Sequence, residues 1–121
     1  MAPTLLVERS GKRTTVLQRA FPHHVLVSTL NALYAAMDGP AWPLVVIGCP
    51  HDGDTMAAAR VVASAPRDSW PTRVLLLGDG SEAVAYLHGI GLQAVDVVPW
   101  VRLRLVPHWS RVRTATEVVG W

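Results

Sequence analysis

Glu8, Asp52 and Asp54 are the carboxylates of this chain best suited to chemistry. Asp52 and Asp54 stand two apart in the run His51-Asp52-Gly53-Asp54, which follows the apolar stretch Leu44–Gly48, and Glu8 follows a second such stretch, Thr4–Val7. Hard oxygen donors in that arrangement suit a divalent cation such as magnesium, two from a loop and one from a neighbouring strand. Aspartates beside a glycine also serve as turn and cap residues, and this local use is the reading that the sequence favours. No metal or other cofactor is therefore expected, with Glu8, Asp52 and Asp54 as the alternative ligand set. Cys49, the only cysteine, is read as a small buried thiol rather than a nucleophile activated near a helix start. His23 and His24 are adjacent, so on a strand they would point to opposite faces and would not share an ion. Asp79-Gly80-Ser81-Glu82 reads as a turn and helix start and lacks the acidic spacing of a calcium loop.

The elements that must position these residues follow from hydrophobic spacing. Short apolar runs alternate with stretches of helical period, the signature of βαβ units around a parallel sheet. Strands are expected at Thr4–Val7, Val25–Val27, Leu44–Gly48, Val74–Leu77 and Val95–Val98. Helices are expected between them. The first carries Val16, Leu17, Ala20 and Phe21 on one face, and the second carries Leu30, Leu33, Tyr34 and Met37 after a cap at Ser28 or Thr29. An alanine-rich third helix is capped by Asp54 or Thr55 and runs to about Ala65, and a fourth, capped by Ser81, carries Ala83, Leu87 and Ile90 and ends near Gly89 or Gly91. After Pro99 the pattern changes: Val101-Arg102-Leu103-Arg104-Leu105 alternates with the period of a half-exposed strand. The expected division is residues 1–100 as an α/β domain and residues 101–121 as an atypical extension that packs on it or mediates assembly.

In order, spacing and length, the run from Thr4 to Trp100 resembles the receiver domain of response regulators. The resemblance implies a doubly wound, flavodoxin-like five-stranded parallel sheet of order 2-1-3-4-5, with its site at the carboxyl ends of the strands. Here a strand-like C-terminal segment stands in place of the fifth helix. A working receiver has an acidic pair after strand one for magnesium, an aspartate ending strand three, a hydroxyl residue ending strand four, and a lysine before a proline after strand five. Those positions align with Glu8 and Arg9, Gly48, Gly78, and Val98 before Pro99. Glu8 alone keeps the family's residue type at these five positions. A glycine offers no nucleophile and a valine no charge for an anion, so aspartyl phosphorylation by the receiver route is excluded. Arg9 is expected to place its guanidinium in the volume magnesium would occupy, pairing with Glu8. The pattern is that of a pseudo-receiver, a domain that signals by contact rather than catalysis.

Glu8 with the later Asp52-Gly53-Asp54 also resembles the Toprim domain of primases, topoisomerases and some nucleases, which implies a metal-dependent enzyme acting on nucleic acid. Arg9 in place of that family's glycine, and the three residues between Gly48 and Asp52, depart from its pattern. Trp100, Trp109 and Trp121, interleaved with Arg102, Arg104, Arg111 and Arg113, are residue types that anchor interfaces. They equally suit a cover over the open side of the core. A protein partner, including a second copy of the chain, is therefore expected.

Composition narrows the classes further. In 121 residues, half of them hydrophobic, there is enough apolar surface for one buried core. The 11 Lys and Arg against 9 Asp and Glu give a net charge of only +2. No basic block of the kind that neutralises many phosphates is present, so nucleic acid enters at most indirectly. No apolar run reaches bilayer length and the N-terminus lacks a signal-peptide plan. With a lone cysteine, these features give a cytoplasmic expectation.

Overall fold

In the computed structural model, the described residues are 2–9, 11–48, 52–78 and 80–99, with residues 52 and 53 described in their backbone alone. Cys49, His51 and Asp79 lie outside them, as does everything from Trp100 to Trp121, so the expectations placed on those residues are not addressed by the fold.

Strands β1 (Thr4–Val7), β2 (His24–Val27), β3 (Leu44–Ile47), β4 (Arg73–Leu77) and β5 (Val95–Val98) alternate with helices α1 (Gly11–Ala20), α2 (Leu30–Ala36), α3 (Asp52–Ser64) and α4 (Ser81–Gly89). All strands are parallel, in the order β2-β1-β3-β4-β5. The doubly wound 2-1-3-4-5 sheet expected from the sequence is thus the fold of the described residues.

Alternation along each strand divides the interior in two. Leu5 and Val7, Val45 and Ile47, and Val74 and Leu76 face Leu33, Met37, Ala58, Val62, Ala83 and Leu87 of α2, α3 and α4. On the opposite side Leu6, Val46, Leu75, Leu77 and Val98 meet Leu17, Ala20 and Phe21 at α1. A strand buried on both faces must be apolar throughout, which is why β3 reads Leu-Val-Val-Ile without a polar break.

Strand ends and helix caps differ locally from expectation: β3 ends at Ile47 rather than Gly48, and β4 begins at Arg73, which pairs with Leu44. β2 begins at His24, one residue before the apolar run, because position 24 still pairs with Thr4. Asp54 and Thr55 lie inside the first turns of α3 rather than capping it, since the helix starts at Asp52. Ser81 is the first helical residue of α4, and Gly80 holds the N-cap without a side-chain cap bond. On α2 only Leu33 and Met37 are buried; Leu30 and Tyr34 are exposed. This helix lies beside the edge strand β2, so a single i, i+4 stripe meets the core. Other local signals held: the Thr29 hydroxyl accepts the Ala32 N–H at 3.1 Å, and Gly91, at φ 105°, closes α4. There Gly91 N–H donates to His88 O and Leu92 N–H to Leu87 O, the paired bonds of a Schellman motif.

Two tryptophans tie strand entries to helix ends. Trp42 Nε1 donates to Ala36 O at 2.9 Å, and Trp70 Nε1 donates to Ala65 O at 2.9 Å. Each satisfies a carbonyl that a helix C-terminus leaves without an intrahelical donor. Proline follows each tryptophan, which favours extended backbone leading into β3 and β4. Trp42→Phe and Trp70→Phe keep most of the ring but remove the donor. Each is expected to lower unfolding free energy by about 1 kcal/mol in urea denaturation, the usual net contribution of one such bond.

Candidate functional site

The carboxyl ends of the strands form the rim where doubly wound folds bind ligands. β1 delivers Glu8 and Arg9 there, β3 Gly48, β4 Gly78, and β5 Val98 and Pro99. The ladder continues through these ends: Glu8 N–H donates to Val27 O at 3.1 Å, Gly48 N–H to Val7 O at 2.9 Å and Gly78 N–H to Val98 O at 3.0 Å. Both glycine amides are therefore engaged within the sheet. They do not form the backbone cradle for an anion that glycines at a rim would otherwise suggest.

Glu8 is fully buried, and its Oε1 accepts the N–H of Arg9 at 3.0 Å. The Arg9 side chain departs in another direction. Its Nη1 donates to Asp54 Oδ1 at 3.0 Å, with side-chain exposures of 65% for Arg9 and 31% for Asp54. The expected Arg9–Glu8 pairing is thereby corrected. Neighbouring residues leaving a strand diverge, so Glu8 turns inward while the longer Arg9 reaches across the rim to the first turn of α3. Asp54 is well placed to hold the cation, because a carboxylate near a helix N-terminus also benefits from the helix dipole.

This geometry bears on the metal alternative. One of the two Asp54 oxygens, Oδ1, accepts a guanidinium N–H. Positions 52 and 54, two apart on a helix, lie about 200° apart around its axis and do not share a face. Among the described residues no group of three His, Cys, Asp or Glu converges in a manner that could hold a metal ion. His24 is engaged through Nδ1 with Phe21 O at 2.6 Å.

Gly78 is more than a missing side chain. At φ 98° it occupies backbone that L side chains rarely adopt, so the receiver's hydroxyl residue would be strained here whatever room it had. Val98, at the lysine position, is buried against Leu77, its register partner, in the core on the α1 side.

Sequence reasoning did not anticipate a groove of about 310 Å³ beside the Arg9–Asp54 pair, walled by Val7 and by Ser28, Thr29, Leu30 and Asn31 at the β2–α2 turn. Its only sequence signal was the capping pattern at Ser28-Thr29. No protein-family model, no curated protein and no solved structure matches this chain.

Gly78→Thr is expected to destabilise the protein by roughly 1–2 kcal/mol, the cost of forcing a β-branched residue into left-handed backbone. Arg9→Ala should change stability by less than about 1 kcal/mol, because the pair it breaks is exposed. Chemical denaturation of both variants checks the contrast; the reverse ranking would mean that Arg9, not the strand-four turn, sets the stability of the rim.

Proposed function

We propose that this chain is a non-phosphorylatable pseudo-receiver: a non-enzymatic regulatory module of a cytoplasmic signalling system that works by protein–protein contact, including contact with a second copy of itself. The observation that carries this reading is the Arg9–Asp54 pair, which joins a protein cation at the end of β1 to a carboxylate at the start of α3 on the rim. Gly48 and Gly78 support it, since the acceptor and hydroxyl positions offer neither nucleophile nor hydroxyl and their amides are engaged in the ladder. Val98 supports it as well, because a buried valine provides no counter-charge for a phosphoryl group. The sheet order 2-1-3-4-5 agrees with a receiver-like scaffold, although many unrelated functions use such a sheet.

In this reading the contact surface is the β5 edge with the segment that follows it. Among the described residues β5 pairs with β4 alone, which makes it an edge strand of the kind that can take a partner. The sequence beyond it places Trp100, Arg102, Arg104, Trp109 and Trp121 near that edge in chain order, and tryptophan and arginine dominate binding energy at protein interfaces.

Sedimentation equilibrium of the wild type and of an Arg104→Ala, Trp109→Ala double variant tests the reading. A concentration-dependent dimer weakened roughly tenfold or more by the double substitution is the expected result, since interface anchors of these types commonly contribute upwards of 1–2 kcal/mol each. A dimer of unchanged strength in the variant would overturn the assignment of the surface.

A further inference from the structure

Doubly wound sheets take ligands outside the carboxyl ends of their strands, at the point where the strand order reverses. In the order β2-β1-β3-β4-β5 that point lies between β1 and β3, whose following helices, α1 and α3, pack on opposite faces. The Arg9–Asp54 pair spans it, one member following β1 and the other in the first turn of α3. The groove of about 310 Å³ opens beside this pair. Small-molecule sites occupy about 300–1,000 Å³, so this one suits a metabolite of few carbons.

The chemistry of the wall describes the occupant. The pair's bond uses Arg9 Nη1 and Asp54 Oδ1, and among the described residues no other bond engages either side chain. The guanidinium therefore keeps further N–H donors, and the carboxylate a second acceptor oxygen. A bare ion of either sign would meet a like charge 3.0 Å from its counter-charge. A molecule that carries both charges on neighbouring groups satisfies both. Ser28 and Asn31 border the same groove and add a hydroxyl and an amide that can donate to a carboxylate. Leu30 adds an apolar wall: it is 45% exposed, whereas Leu33 and Met37 of the same helix region are buried. From these features we infer that the groove binds a free α-amino acid with an apolar side chain. Its carboxylate lies on Arg9, its ammonium on Asp54 and its side chain against Leu30. The site needs no partner, so it stands or falls separately from the contact-module reading.

The test is an amide chemical-shift titration of the isotope-labelled full chain with leucine, methionine and phenylalanine. Saturable shifts at Arg9, Ser28–Asn31 and Asp54 are expected from at least one of them, with a Kd of about 1 mM or tighter. The N-acetyl derivative of that amino acid lacks the ammonium and its amide lacks the carboxylate. Each should bind at least about tenfold more weakly, because each leaves one charge-assisted hydrogen bond unmade. These two compounds test both charges without any change to the protein. Arg9→Ala should keep a dispersed amide spectrum and lose the shifts, and Arg9→Lys, which retains the charge but not the planar fork, should bind more weakly than the wild type. The inference is overturned by the absence of saturable shifts from all three amino acids, by shifts confined to other residues, or by equal binding of either blocked derivative. Unchanged binding by Arg9→Ala would overturn it as well.

Discussion

A parallel sheet must be covered on both faces, and the rest of this structure depends on that requirement. Each parallel strand is joined to the next by a crossover that lays a helix on one side. In an order that runs outward from β1 in both directions, α1 is sent to one face and α2, α3 and α4 to the other. The central strands therefore supply side chains to two cores at once. Val45 and Ile47 serve one and Val46 the other, and burying each such side chain contributes about 1.5–3 kcal/mol.

The same constraint sets what the rim can be. Because Gly48 and Gly78 continue the ladder beyond β3 and β4, their backbone groups belong to the sheet. Glu8, fully withdrawn from water, has its carboxylate held by the amide of the next residue. Among the described residues, Arg9 and Asp54 pair across the end of β1 and the start of α3.

Much of the fold was legible in the sequence because burial on both faces leaves a coarse mark. The apolar runs at Thr4–Val7 and Val95–Val98 coincide with strands, the run Leu44–Gly48 contains β3 and overshoots it by one residue, and Thr29 and Gly91 act at helix ends as their types suggest. Finer features were not legible, for physical reasons. Asp54 has the type of a cap, but two helical residues before it place it inside the first turn, where it is a surface partner for Arg9 instead. The direction of the Arg9 side chain depends on which way the chain leaves β1, and residue type does not encode that. A glycine at position 78 announces freedom but not its φ of 98°. The indole bonds of Trp42 and Trp70 reach back six and five residues to helix carbonyls, and their only linear trace is a repeated Trp-Pro pair.

Calorimetric titration of magnesium and manganese into the protein, beside an Asp52→Ala, Asp54→Ala variant, tests the central claim most directly. A rim closed by its own arginine predicts no saturable heat from either ion in either protein. Saturable binding to the wild type that disappears in the variant would contradict it, identify the acidic residues as a metal site, and replace the contact module with a metal-dependent enzyme.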